Sequence, residues 1–252
     1  MRRQIAYCAI EKVSGFQHSL STRQRQSTPH SKVAEVNHVT DLQATGRAAQ
    51  DYLSAKHSAR ERALPKSRAA IRLCANAIRA AHRDEFDSAT HMLADAGTLL
   101  RDMAADLHEH MDIFFAGFVA DAQKEYAEAA LTCALIKRET LPMPGELGVE
   151  WAPHLNGLGE AVGELRRYVL DRMRLGKLDA CEAILADMDE IYALLITLDY
   201  PDAITGNLRR TTDACRGILE KTRGDLTLGV SQARLNDAME RVQERLERLT
   251  DF

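Results

Sequence analysis

Asp121-Ala-Gln-Lys-Glu125-Tyr-Ala-Glu128-Ala is the stretch from which the fold can be inferred. Its neighbours on both sides are mostly apolar, so the helix that it predicts has a narrow polar face and must pack against other helices elsewhere. Successive residues of a helix turn by about 100°, which directs Asp121, Glu125 and Glu128 to one side. The sequence therefore predicts a largely buried helix that carries an acidic stripe.

A second acidic stripe lies in Gly157-Leu-Gly-Glu160-Ala-Val-Gly-Glu164-Leu, where the two glutamates share one face of the next long helix. If the two stripes meet, four or five carboxylates converge without His or Cys, a ligand set that suits Mg²⁺ or Mn²⁺ rather than zinc or copper. The alternative is a pair of solvated faces, because a helical protein with 28% charged residues carries many Glu pairs at these spacings.

Helical periodicity runs through most of the chain, and no strand-like alternation is present. Pro65 is predicted to kink the first helix or to begin a new one, and Gly224 to end the sixth. The fold class predicted is all-α, a single antiparallel bundle of about seven helices. The predicted helices cover approximately residues 39–82, 88–107, 111–138, 153–176, 178–197, 201–224 and 231–249.

The beginning of the chain differs in composition from the rest. Residues 1–38 are rich in Arg, Ser and Gln with little apolar periodicity, so we predict a disordered basic leader there and a helical domain over 39–252. The five cysteines form no C-x-x-C pair and are expected to be small core residues in a reducing, cytoplasmic setting. No run of eighteen apolar residues occurs, so no membrane span is predicted.

Charge is segregated along the chain. The formal net charge is −4, yet residues 56–83 contain eight Lys or Arg against one acid. Four arginines of this segment fall within about 60° of one another on a helical wheel and would suit a phosphate backbone. Two further cations, Lys137 and Arg138, end the helix that bears the first acidic stripe. They could contact the same nucleic-acid strand as the arginines, or they could only complement the helix dipole. The alternative for the arginines is a solvated face, or one paired with acids of a neighbouring subunit. The predicted nucleic-acid-binding residues are Arg68, Arg72, Arg79, Arg83, Lys137 and Arg138.

Glu125-Tyr-Ala-Glu128-Ala, then Ile136-Lys137-Arg138, a loop and the stretch 157–165 form an ordered set of motifs. This set resembles the translin family, and its translin-associated factor X branch more than translin itself. Ser67-Arg68 and His82-Arg83 also fall in matching places, so the resemblance covers approximately residues 55–230.

The resemblance implies a Mg²⁺-dependent endoribonuclease that acts on single-stranded RNA. It makes Glu125, Glu128 and Glu160 the metal-holding carboxylates. Glu164 matches a further acidic position of the same motif and is the expected fourth ligand, water orienter or general base, while Asp121 stays beyond the direct ligands. The family's usual residue at position 160 is Asp, so this Glu is one methylene longer with the same ligand type. The resemblance also implies a large homo-oligomer, commonly an octamer.

Two other functions compete with that reading. One is a non-catalytic translin-type protein that binds single-stranded DNA or RNA, and metal-dependent product formation separates it from the nuclease. The other is a structural helical module that uses its charged stripes only for assembly.

Overall fold

The computed structural model describes residues 38–250 of the chain. The predicted leader lies outside this range except for its last residue, His38, and so does Cys8. Within the range there are nine helices and no strand, which confirms the predicted all-α fold. The helices are α1 His38–His82, α2 Phe86–Leu107, α3 Met111–Phe114, α4 Gly117–Lys137, α5 Pro144–Leu147, α6 Trp151–Arg174, α7 Asp179–Leu195, α8 Asp202–Thr205 and α9 Leu208–Thr250.

Helix α1 is continuous through Pro65, so this residue neither ends a helix nor begins one. An interior proline removes one backbone hydrogen bond and costs about 3 kcal/mol. The apolar stripe of α1 nevertheless continues on both sides of it, with Ala59, Ala63 and Ala70 fully buried. Packing of that stripe outweighs the local cost.

The prediction of two helices between 201 and 249 is wrong. Gly224 lies inside α9, and the break occurs earlier, at Gly206 and Asn207, whose φ angles are +60° and +68°. A glycine within a helix costs only about 1 kcal/mol. Thr222 and Leu226, on either side of Gly224, are buried and hold the helix against the bundle.

The helix predicted over 111–138 is also interrupted. The single turn α3 ends at Phe114, Ala116 is extended, and α4 begins at Gly117. With α5 and α8, three of the nine helices in the described range are single turns, so six long helices form the bundle where about seven were predicted.

Helix α6 lies at the centre of the bundle and packs against α4, α7 and α9. Its Val162, Leu165 and Val169 are fully buried. Helix α7 runs antiparallel to α6, with Leu195 near Gly159 and Cys181 near Val169. The described cysteines are all buried and unpaired by disulfides, as predicted, at positions 74, 133, 181 and 215.

Helices α4 and α6 run in the same direction, which decides how the two acidic stripes face each other. After α4 ends, residues 138–150 return along it, and the backbone N–H of Glu150 donates to Gln123 Oε1 near the start of α4 at 3.2 Å. Helix α6 therefore starts beside the start of α4.

The core and the site described below belong to the compact unit Arg47–Phe252. No helix in residues 38–250 is both long enough and apolar enough to cross a membrane.

Candidate metal centre between helices α4 and α6

Three predicted site residues from two helices lie together. Glu125 and Glu128 project from α4 and Glu160 from α6, and one carboxylate oxygen of each lies within 4.8 Å of the others. All three residues are partly buried. The two acidic stripes therefore do meet. The atoms that could bind a metal ion between them are all carboxylate oxygens.

Gly157 makes this close approach of the two helices possible. A Cβ atom at this position would lie 2.7 Å from the carbonyl oxygen of Lys124 and 2.8 Å from the backbone nitrogen of Glu128. Real Cβ atoms do not approach backbone atoms so closely, so only glycine fits without moving α4. The contact sets the position of Glu128 relative to α6.

The clustered carboxylates perturb one another. Burial raises the pKa of Glu128 to about 8, and the charges of Glu125, Glu160 and Glu164 add to the effect. Burial also raises the pKa of Glu125, an effect that Lys124 opposes and Glu160 reinforces. Negative charge in this position is unfavourable unless a cation lies close by.

Lys124 is the cation that the structure places in the cluster, and sequence reasoning missed it. Its Nζ lies 2.7 Å from Glu160 Oε1 and 3.7 Å from Glu125 Oε1. Burial lowers the pKa of Lys124, but its hydrogen bond to Glu160 and the nearby carboxylates outweigh burial and leave the pKa raised. A signal was available, because Lys124 is three residues after Asp121 and four before Glu128 and so belongs to the same stripe.

Glu164 lies outside the group of three, against the end of α1. Its Oε2 is 2.6 Å from Nε2 of His82, and this hydrogen bond lowers the pKa of Glu164. Arg167 is 3.9 Å from the same carboxylate oxygen. The other ring nitrogen of His82, Nδ1, is buried and has no hydrogen-bond partner within residues 38–250. Sequence reasoning noted His82 only as a position that matches the family, and did not pair it with Glu164.

An open cleft of about 660 Å³ adjoins the carboxylates and separates them from the first turn of α9. Glu128, Glu160, Lys124 and Asp121 line one side of it. The remaining lining residues are Ala120, Ala152, Pro153, Asn156, Gly159, Gly206, Asn207, Arg210, Thr211, Ala214 and Ile218.

Three of the four predicted stripe arginines share the surface of α1. Arg68, Arg72 and Arg79 are exposed and have no ion pair within residues 38–250. Arg83 lies just past the end of α1, where its guanidinium binds Glu85 at 2.6 and 2.8 Å. Three arginines of the α1 stripe therefore have guanidinium groups without an ion-pair partner within residues 38–250.

Lys137 and Arg138 lie at the far end of α4 and are both paired. Lys137 Nζ is 2.5 Å from Glu139 Oε1, and Arg138 binds Asp187. The end of α4 is about 13 Å along the helix from Glu128. In this conformation both cations serve local ion pairs.

Comparison with known proteins places the chain in a family. No protein-family model matches the chain. An uncharacterised protein of Methanocaldococcus jannaschii is 34% identical over 199 residues, covering 77% of this chain and 86% of the relative. AfC3PO, solved in complex with duplex RNA, superimposes with a TM-score of 0.70 at 31% identity over 75% of this chain and 98% of its own.

A second solved structure, apo-NeC3PO, is similar in fold, with a TM-score of 0.65 at 19% identity over 78% of this chain and 99% of its own. The resemblance found in the acidic motifs thus extends to a fold that covers about three quarters of the chain. The chain belongs to the translin family, as a C3PO-like member.

Proposed function

We propose that the protein is a metal-dependent endoribonuclease that binds and cleaves single-stranded RNA at Glu125, Glu128 and Glu160. The observation that carries the proposal is the meeting of these three carboxylates, within 4.8 Å, beside an open cleft. The similarity to AfC3PO, which was solved with duplex RNA, supports RNA as the ligand class.

The donor set fits Mg²⁺, with Mn²⁺ as the other candidate. All three donors are carboxylate oxygens, which hard divalent cations prefer. Burial, and after it the charges of the neighbouring carboxylates, raise the pKa of Glu128 even with Lys124 present, so ionising this group is unfavourable without a further cation. A bound divalent cation would offset that deficit.

Each side chain then has a role that its position supports. Glu125, Glu128 and Glu160 would hold the metal, with Glu128 releasing its proton and Glu160 exchanging its hydrogen bond to Lys124 for the metal. When bound, Mg²⁺ would activate a water molecule and offset charge on the phosphoryl oxygens. Glu164, whose carboxylate His82 holds in place, is proposed to orient that water or to accept its proton.

Strand binding is assigned to exposed cations of α1, the helix whose last residue, His82, contacts Glu164. Arg68, Arg72 and Arg79 provide free guanidinium groups for phosphates, and such contacts position a strand without reading its sequence. Single-stranded DNA is a second candidate ligand. We further propose that the protein is a homo-oligomer, with an octamer as the size implied by the family.

The test is cleavage of labelled single-stranded RNA in Mg²⁺ and in EDTA, with a duplex of the same sequence run in parallel. Glu125→Ala and Glu128→Ala should reduce cleavage to background while RNA binding is retained, because each removes a metal donor. Glu109→Ala is the matched control, since this glutamate is exposed and lies outside the cluster. Cleavage at the wild-type rate in both cluster variants would remove these residues from the mechanism.

A second candidate function is a translin-type binder of single-stranded nucleic acid without catalysis. Lys124 favours it, because its ammonium already offsets part of the charge of Glu160 and Glu125. RNA binding by the wild type, with no product in Mg²⁺ or Mn²⁺, would identify this function.

A further inference from the structure

We infer that Arg210 binds an RNA phosphate on the α9 side of the cleft and so positions the strand over the carboxylates. The inference rests on the proposed function and adds a residue that neither the acidic motifs nor the α1 stripe includes. Arg210 is a positioning residue, since its task is to hold the strand and not to take part in bond breaking.

The charge distribution of the cleft singles out Arg210. Only two cations line the cleft within the described part of the chain, Lys124 and Arg210. The ammonium of Lys124 is hydrogen-bonded to Glu160. The side chain of Arg210 is exposed and has neither a hydrogen bond nor an ion pair to any residue of the range 38–250. Its guanidinium is therefore free to bind an anion in the cleft.

Its neighbour Arg209 shows the opposite behaviour. Arg209 does not line the cleft, and its guanidinium lies 2.7 Å from Oδ1 of Asp199. Adjacent residues of the same type on one helical turn thus differ in both direction and pairing. This pair supplies a matched comparison.

The backbone that carries Arg210 is held firmly against α6. The buried side chain of Asn156 donates to the carbonyl oxygen of Thr205 at 2.7 Å, and its Oδ1 accepts from the hydroxyl of Thr211 at 2.7 Å. A Cβ at Gly159 would lie 2.4 Å from Thr211 Cγ2, so α6 and the first turn of α9 touch. Because the backbone is fixed, only the side chain of Arg210 has to be ordered when it binds an anion.

Arg210 also lies on the opposite side of the carboxylates from the α1 stripe. On α6, Gly159 contacts α9 and Glu164 contacts α1. Glu160 projects between them, about 100° from Gly159 and about 40° from Glu164. An RNA strand bound over Glu160 would therefore lie between α1 on one side and α9 on the other.

An RNA strand in this cleft needs a cation to bind its phosphates. A carboxylate cluster repels the phosphates of RNA, and a metal at the cluster offsets the charge of one phosphate only. The phosphate next to it needs a separate partner, and the planar guanidinium of Arg matches phosphate oxygens in a bidentate manner. Arg210 provides this partner.

The experiment measures binding of a labelled single-stranded RNA by fluorescence anisotropy in EDTA, at several salt concentrations. Arg210→Ala should weaken binding and reduce the slope of log K against log salt by about 0.7, the value for one phosphate contact on a single strand. Arg210→Lys should restore the slope and only part of the affinity, because one charge remains while the bidentate geometry is lost. Arg209→Ala should bind as the wild type does.

Cleavage in Mg²⁺ gives a second readout. Arg210→Ala should act mainly through a higher KM, whereas the loss in Glu125→Ala should fall on kcat. Thermal unfolding of each variant establishes that the fold is retained.

The outcomes separate this inference from the proposed function. If the wild type binds and cleaves RNA while Arg210→Ala keeps the same affinity and salt slope, the inference alone is overturned. An equal loss in Arg209→Ala also overturns it, since that result would show a general effect of surface charge. If the wild type binds no RNA at low salt, the proposed function itself fails.

Discussion

Glu128 shows how one residue couples the candidate metal centre to stability. Its carboxyl group lies between α4 and α6, where burial and three other carboxylates raise its pKa from 4.5 to about 8. At neutral pH this carboxyl is therefore largely protonated in the folded protein and ionised in the unfolded chain. The folded state holds the extra proton, so stability falls as pH rises from about 4.5 to about 8.

Glu128→Gln tests this coupling, because an amide has nearly the same shape and no charge. In EDTA we expect nearly equal stability of variant and wild type at pH 4.5, and a variant that is more stable by about 2–5 kcal/mol at pH 9. Denaturant unfolding at the two pH values measures the difference. Equal stability at pH 9 would show that the pKa of Glu128 is not raised. Ionising this carboxyl group in the folded protein would then need no additional cation.

At the scale of the element, the contact of α4 with α6 depends on small residues. Gly157 of α6 faces the α4 backbone, and a Cβ at this position would also lie 2.9 Å from the Cβ of Ala127, one of five buried alanines of α4 at positions 122, 127, 129, 130 and 134. The sequence predicted both helices and both acidic faces from local periodicity. The contact at Gly157 then brings the two acidic faces together.

Gly157→Ala should destabilise the protein by about 1–3 kcal/mol, because the new methyl would overlap backbone atoms of Lys124 and Glu128. It should also weaken Mn²⁺ binding, since α4 must shift relative to Glu160. Gly163→Ala is the matched control on the same helix, with only Ile218 Cδ1 at 3.9 Å from the added carbon. Removing a helical glycine without a clash should leave stability unchanged or raise it by up to about 1 kcal/mol.

Thermal unfolding and isothermal titration with Mn²⁺ measure the two effects. If Gly157→Ala and Gly163→Ala behave alike, the close approach of the helices does not set the position of the carboxylates.

At the scale of the whole molecule, α9 extends beyond the bundle. Among residues 208–248 of this helix, whose burial is described, Leu226 is the last fully buried one, and past Gly229, which lies near Met173, most residues are exposed. Leu235, Met239 and Val242, spaced by four and three residues, are 54%, 63% and 56% exposed. Within the described part of the chain, this apolar face of α9 is therefore not part of the core.

An exposed apolar row of this spacing is typical of a helix that packs against another helix. We expect Met239→Lys to lower the particle mass measured by light scattering, because a charge would then lie within the packed face. Asp237→Lys is the matched control, since it introduces the same side chain about 160° away on α9. A particle mass unchanged by Met239→Lys would exclude this face from assembly.

The sequence by itself determined the helical class, the buried cysteines among the described residues, and the stripes that bear Glu125, Glu128 and Glu160. These features are local, since the periodicity of apolar and polar residues reports which side of a helix is buried. The same local rules failed at Gly224, where buried residues on both sides hold the helix continuous.

Only the tertiary structure decided which stripes meet and what lies between them. It brought Lys124 into the carboxylate group, paired Glu164 with His82, and placed Arg210 across the cleft. Each of these relations joins residues of different helices, and the return of the chain over residues 138–150 sets the direction in which α4 and α6 face each other. Burial then changes the protonation of groups such as Glu128, an effect that depends on desolvation and cannot be inferred from spacing along the chain.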